Sequence, residues 1–411
     1  MQANLSLEDL TRSVLRELDK FGLSSVTKGS YRSAFHSFKA FAAARDMDSF
    51  SESLAAEFLE NIEVKCKTGA ICNSRRDLLR RASLLLRDYV ANRTIEWKFY
   101  VFKHQPMPAS QEFLLLYSSF IENLRFTGKS GNTIQSGKNS VRQFLLFLED
   151  NGCSSLSMAT PDMVPSFFQH LLATYSPTSI RTVASDIRSF LGFVEGGEGL
   201  LRAVPSRCVR AKTIIPILSD EEHIALKSVL KTLKVPLRDK AIILLALRTG
   251  LRAADIVRMT MSDIDWVNDT ISIIQSKTGN AFKIPLTADV GNVLSAYIRN
   301  ERPKTDNPGV FLRLVAPFRP LSGHSACYAL VRRVFHLAGI RLGSERKGIH
   351  VMRHSVASRM LSKGIAVTTI SSMLGHSNKS STDVYLSTDK ARMRECALGI
   401  AGIPMNCGGL T

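Results

Sequence analysis

The chain has 411 residues, 45% hydrophobic and 22% charged, a globular balance at a length that exceeds one ordinary core. Lys and Arg number 54 against 36 Asp and Glu, a formal charge of +18. Such a surplus favours polyanionic partners, although a basic surface can also serve solubility alone. Apolar runs fall short of the roughly 20 residues that span a bilayer, and the start MQANLSLEDL has no apolar signal region. The seven cysteines are scattered and form no C-x-x-C pair, which predicts reduced thiols in a cytoplasm and gives no case for a metal site.

The first two hundred residues read as one helical unit present twice. In the first copy Thr27 opens a segment with Tyr31, Phe35, Phe38 and Phe41 at helical spacing. In the second Thr133 opens a segment with Val141, Phe144, Leu145 and Phe147. A short apolar helix follows in each, over 54–62 and over 163–172, and each copy closes on a basic amphipathic helix, over 73–90 and over 178–196. Arg76, Arg80 and Arg81 on the first of these, and Arg181 and Arg188 on the second, are candidate contacts to a phosphate backbone. A solvated basic face explains either helix taken singly; their equivalent places in a repeat favour DNA.

Residues 97–110, with Pro106 and Pro108, read as a linker. A second linker after Gly199 carries Arg202, Arg207, Arg210 and Lys212, a cationic connector suited to two domains closing on a duplex. The expected division is therefore 1–100, 108–200 and 213–400, with a tail over 401–411. In SDEEH, Ser219 is placed as an N-cap with acids in the first turn, which opens a new helix and a new domain. A helix over 238–247, the turn Thr249-Gly250 and a helix from about Arg252 follow. Alternation then predicts strands over 270–276 and 282–286 around a turn at Lys277–Asn280. After Leu321 the chain reads as helices separated by glycines 339, 348, 364 and 375.

Four segments of this last domain carry groups suited to a phosphodiester transition state. TGLRAADIVRMTMSDID offers Arg252 after a helix-ending glycine, and QSKTGNAFKIP offers Lys277 at a hairpin tip. GIHVMRHSVASRMLSKG sets His350 and Arg353 three apart on a helix, and SMLGHSNKSSTDVYLS supplies His376 and, nine residues on, Tyr385. Each alone has an ordinary explanation: an Arg beside Asp255, a solubilising hairpin Lys, an exposed His–Arg pair, a core Tyr.

In this order and spacing the segments resemble the catalytic domain of the tyrosine recombinase (phage integrase) family, over roughly 215–400. That family's pattern is an Arg in a T-G-L-R turn, a hairpin Lys, H-x-x-R, L-G-H and then Tyr. It maps onto Thr249 to Arg252, Lys277, His350 with Arg353, Leu374 to His376, and Tyr385. Asp255 stands where the family often has Glu, and a shorter carboxylate can still orient Arg252.

The resemblance implies a multidomain, mainly α architecture: two SAM-like helical DNA-binding modules, then a mixed α/β catalytic domain with a small antiparallel hairpin or sheet. It implies a site-specific recombinase that cuts and rejoins DNA through a 3′-phosphotyrosyl link on Tyr385. Arg252 and Arg353 would clamp the phosphate, since guanidinium forks match its oxygens and stay charged. His350 would act as base or relay, His376 as a donor to the phosphate, and Lys277 as the acid for the leaving oxygen. Two arginines without a carboxylate cluster leave no need of a metal or other cofactor. The implied partners are double-stranded DNA with specific sites and further copies of the chain in a tetrameric synapse, with exchange of a C-terminal segment. The extra N-terminal module suggests a mobile-element integrase or transposase. A chromosome-dimer resolvase is the alternative; a type IB topoisomerase and a silent DNA-binding protein are more distant ones.

Overall fold

The computed structural model describes residues 6–97, 106–206 and 215–375, apart from positions 278 and 322. Tyr385, His376, Arg207, Arg210 and Lys212 lie outside the described residues. Two compact units are present, one formed by residues 1–100 together with 214–411, the other by 101–213.

The first unit opens with α1 (Leu7–Asp19), α2 (Ser25–Ala43), α3 (Glu52–Lys67) and α4 (Asn73–Asn92). Ser6, Ser24 and Ser51 cap the first three, each side chain accepting from a backbone N–H of the first turn. The apolar stripe read from the sequence is the core: Tyr31, Phe35 and Phe38 are buried with Leu54, Phe58, Ile62 and Leu86. α1 is absent from the sequence-based expectation, yet its Leu10, Val14 and Leu18 complete that core. The cationic side of α4 is turned largely toward its own module. Arg75 donates to the hydroxyls of Ser33 and Ser37, Arg80 pairs with Glu63 at 3.0 Å, and Arg76 pairs with Asp77 at 2.9 Å. The Arg81 Nε is buried without a hydrogen-bond partner.

The second unit repeats the scheme with α5 (Gln111–Phe126), α6 (Gly131–Asp150), α7 (Met163–Leu172), α8 (Pro177–Leu191) and α9 (Glu198–Ala203). Phe113, Phe120, Phe144, Phe167 and Phe190 fill its core. α5, like α1, is an opening helix that the repeat pattern alone does not reveal. Two further expectations are corrected. The basic helix ends at Leu191, not 196, and Arg202 belongs to α9, not to a linker. Leu200 and Val204 are buried in this core, so the chain stays bound to the unit past Gly199. Arg181 is exposed, whereas Arg188 donates to the Pro205 carbonyl.

The remainder of the first unit starts at α10 (Asp220–Lys231), where Ser219 and Glu222 form the capping box that SDEEH predicts. α11 (Leu237–Thr249) and α12 (Ala253–Arg258) follow, then β1 (Ile264–Asp265), β2 (Thr270–Ile274) and β3 (Ala281–Pro285) in one antiparallel sheet of order β1-β2-β3. Ile271 faces Ile284 and Ile273 faces Phe282, so the alternating apolar side seals the sheet on the helices. β1 carries no sequence signal, since two residues are too few to show a period. α13 (Ala288–Asn300), α14 (Gly323–Leu337), α15 (Ile349–Ser362) and α16 (Val367–Leu374) complete the described fold. None of the described helices is long and apolar enough to cross a membrane. Within this unit Ala316 joins the core of α1–α4, beside Leu23 and Trp97.

Asp239, fully buried in α11, pairs with Arg238 at 2.9 Å and with Arg333 of α14. Removing one partner of a buried ionic group leaves the others uncompensated. Asp239→Ala should therefore cost about 3–5 kcal/mol, read as a lower urea midpoint at unchanged slope.

Candidate active site

Three helix ends and one hairpin build the site. α11 ends at Gly250, whose φ of 64° suits glycine, and a Cβ there would come within 2.8 Å of Leu374. The turn puts Arg252 at the start of α12 with a mostly covered side chain. α16 ends at Gly375, φ 61°, where a Cβ would collide with the Gln275 side chain. Both glycines let neighbouring segments close to backbone distance.

The two arginines meet at that junction. Arg353, only 4% exposed, donates from Nη1 to the Gly250 carbonyl and from Nη2 to the Leu374 carbonyl, both at 2.7 Å. Arg252 donates to Gln275 Oε1 at 2.8 Å and to the Gly375 carbonyl at 3.1 Å. Helix C-termini leave carbonyls without intrahelical donors, and here the guanidiniums take them. Each fork is thereby fixed in part by neutral carbonyl or amide groups. Asp255, fully covered at its side chain, stands 3.9 Å from Arg252. One of its oxygens accepts from the Ser276 amide and hydroxyl, both at 2.8 Å, and the other has no hydrogen-bond partner. The carboxylate thus ties the β2–β3 turn to α12 more firmly than it pairs with Arg252.

Lys277 follows Ser276 in that turn and is exposed. His350 is exposed in the first turn of α15, while Arg353 is buried one turn on. His354 lies beside His350, ring centroids 6.3 Å apart. Burial, and then the neighbouring His350 and Arg353, push the His354 imidazole down to about 4, so it is neutral at neutral pH.

The structure thus brings Arg252, Arg353 and Asp255 to one junction, with Lys277 on the turn that Asp255 anchors and His350 on the helix that carries Arg353. It adds Gln275 and Ser276, which the motifs do not single out, and His354, which is available in the GIHVMRHS segment beside His350 and Arg353. Gln275 had a signal: residues 271, 273 and 275 share one strand face, so a polar residue follows two buried isoleucines and is itself 1% exposed. A further cationic cavity of about 420 Å³ is lined by Arg332, Arg333 and His336 of α14 with Arg341 and Lys347. Helical spacing disguised it, because these residues alternate with buried Leu330, Val331 and Val334.

Helix ends bring two arginines to one backbone junction, and guanidinium pairs of this kind suit a phosphate-type anion. Residues 217–392 match the Phage integrase family, and residues 118–196 match its N-terminal SAM-like domain. "Putative integrase/recombinase y4rA" of Sinorhizobium fredii is 32% identical over 301 residues, 72% of this chain and 72% of that protein. Two solved structures share the fold. XerH site-specific recombinase in a post-cleavage complex with palindromic difH substrate has a TM-score of 0.56 at 17% identity, covering 71% of this chain and 97% of that one. A lambda integrase tetramer bound to a Holliday junction has a TM-score of 0.52 at 16% identity, covering 75% and 86%. The chain belongs to the phage integrase family of tyrosine recombinases, enzymes that transfer DNA strands.

The depressed His354 value has a consequence for stability. Between the ordinary 6.5 and about 4, the unfolded chain binds a proton at this position that the folded protein refuses. Stability therefore falls as pH drops through that window and levels off below it. His223 shifts in the same direction, so the comparison is between wild type and His354→Gln. The substitution should recover about 1–3 kcal/mol of the loss between neutral pH and pH 4, measured from urea midpoints at both pH values.

Proposed function

We propose that this recombinase cleaves each strand by attack of Tyr385 on a phosphodiester, giving a 3′-phosphotyrosyl link and a free 5′-hydroxyl. The observation that carries this reading is the convergence of Arg252 and Arg353 on the Leu374–Gly375 turn, the residues immediately before His376 and ten before Tyr385. Phosphoryl transfer demands positioning and neutralisation of the non-bridging oxygens more than covalent assistance. Arg252 and Arg353 supply that charge. His350 serves as base or relay for the phenol, whose ordinary pKa near 10 leaves it protonated at neutral pH, and His376 donates to the phosphate. Lys277, exposed on its turn, reaches the leaving 5′-oxygen and protonates it. The link conserves the bond's free energy, so another 5′-hydroxyl reverses the step without ATP.

The proposed organisation is a module over 1–100, a core-binding module over 108–200, a catalytic domain over 213–400 and a tail over 401–411. The second module and the catalytic domain hold specific duplex sites, with Arg181, Arg188, Arg207, Arg210 and Lys212 among the contacts. Arg76, Arg80 and Arg81 remain candidates on α4, although Arg76 and Arg80 have carboxylate partners in their own module. The α14 cavity, with exposed Arg332 and Arg333, adds a cationic surface for the same purpose. Synapsis takes four copies, as in the lambda integrase tetramer, and the residues after Tyr385 pass to a neighbouring copy. The module ahead of the core-binding one favours integration or excision of a mobile element in a bacterial cytoplasm. A chromosome-dimer resolvase is the second reading, supported by the likeness to XerH.

Duplex bearing the element's end should form a covalent adduct with wild type and none with Tyr385→Phe. Arg252→Lys should slow single-turnover cleavage about 10²–10³-fold, as loss of one oxyanion donor does. Adduct persisting in Tyr385→Phe would refute the assignment, and relaxation of supercoiled plasmid lacking any site would favour a topoisomerase. Footprinting after deletion of residues 1–100 should remove only the outer protection if the first module reads arm sites.

A further inference from the structure

Away from the arginine junction, α10, α11, α13 and the end of α15 enclose a cavity of about 560 Å³. Its wall carries Leu230, Leu237, Leu244, Leu247 and Val293, and no Phe, Tyr or Trp lines it among the described residues. Two polar side chains on it are more than nine-tenths buried. His223 is 5% exposed and neither ring nitrogen has a hydrogen-bond partner. Lys240 is 8% exposed and has no carboxylate partner among the described residues; the neighbouring Asp239 is taken by Arg238 and Arg333. Lys227 and Lys231 add two exposed ammonium groups. The cavity's two guanidiniums are already engaged, Arg248 by Asp289 at 2.6 Å and Arg359 by Asp220 at 3.0 Å.

An imidazole buried without partners is costly, and a fold that retains it on one cavity wall with a lysine that no described carboxylate pairs is completed by an anion. Lysine offers three donors, and the neutral imidazole, pushed down to about 4 by burial, Arg359 and Lys227, offers one N–H. The cations without a carboxylate are point charges, not planar forks, and no Phe, Tyr or Trp among the described lining residues could stack on a base. A carboxylate on hydrocarbon matches both features better than a phosphate or a nucleotide.

We propose that this cavity binds a carboxylate carried on a short aliphatic body, with Lys240 and His223 holding the anionic group and the leucines holding the hydrocarbon. This goes beyond the strand-transfer reading and does not depend on it. A free aliphatic acid supplies that chemistry, and so does an aspartate or glutamate set among aliphatic residues in a partner peptide. Residues 387–400 of this chain match it poorly, with Lys390, Arg392 and Arg394 against Asp389 and Glu395. The site is wired to the arginine junction: α11 runs from Leu244 and Leu247 to Gly250, and α15 carries both Arg359 and Arg353. Occupancy therefore steadies the two helices that seat the clamp.

Calorimetric titration of the full chain with octanoate, with a peptide of alternating Leu and Glu, and with inorganic phosphate tests the proposal. Saturable octanoate binding supports a free acid, and binding of the peptide alone supports a partner segment. In either case Lys240→Met and His223→Leu should weaken binding about tenfold or more. Without ligand His223→Leu should melt above wild type, because it removes an unsatisfied buried group, and octanoate or the peptide should raise the Tm of wild type alone. The proposal is overturned if His223→Leu lowers the ligand-free Tm, if neither carboxylate binds, if phosphate alone binds, or if the variants bind as wild type does.

Discussion

The donation of arginine N–H groups to the carbonyls that end helices is the interaction on which the rest of the site depends. A helix C-terminus carries partial negative charge and carbonyls that its own backbone cannot satisfy. Arg353 takes one such carbonyl from Gly250 and another from Leu374, so one buried side chain joins three helices. Arg252 reaches the next carbonyl, that of Gly375, and Gln275 brings in the sheet. Carbonyl dipoles hold a guanidinium without cancelling it, which a carboxylate would do. The arrangement brings two guanidiniums to one junction inside a helical body.

Asp255 follows the same logic. As a shorter residue where the family often has Glu, it lies 3.9 Å from Arg252 and directs its hydrogen bonds to Ser276 instead. Its effect passes to the turn that carries Lys277, leaving the lysine exposed on an anchored base. Distributing the cations over a buried helix, a turn and a helix start means that no single element has to carry the whole charge. The buried Asp239, with arginines on two helices, acts in the opposite sense and neutralises charge where α11 meets α14.

The repeated helical units depend on a different constraint, the need of each amphipathic helix to bury one face. Phe35, Phe38 and Phe58 do this in one copy and Phe144, Phe167 and Phe190 in the other. The basic residues that lie opposite are not equivalent between copies. On α4 they are engaged by Glu63, Asp77, Ser33 and Ser37, while on α8 Arg181 is exposed. A positive stripe in a sequence is thus compatible with a largely satisfied internal network.

Periodicity, caps and glycines determined the helices, the hairpin and the order of the candidate site residues, because those signals are local and act over a few residues of chain. SDEEH fixed a helix start, Gly250 and Gly375 fixed two ends, and alternation fixed the hairpin to within two residues. The helices α1, α5, α9 and α13 escaped, since their apolar spacing acquires meaning only from the cores they complete. Only the tertiary structure decided which cations are buried, which are paired and which carbonyls they hold. Arg252 and Gly375 are more than a hundred residues apart, and their pairing is set by how closely Gly250, Gly375 and Gln275 let the chain approach itself. Sequence named the charges; long-range packing gave them their direction.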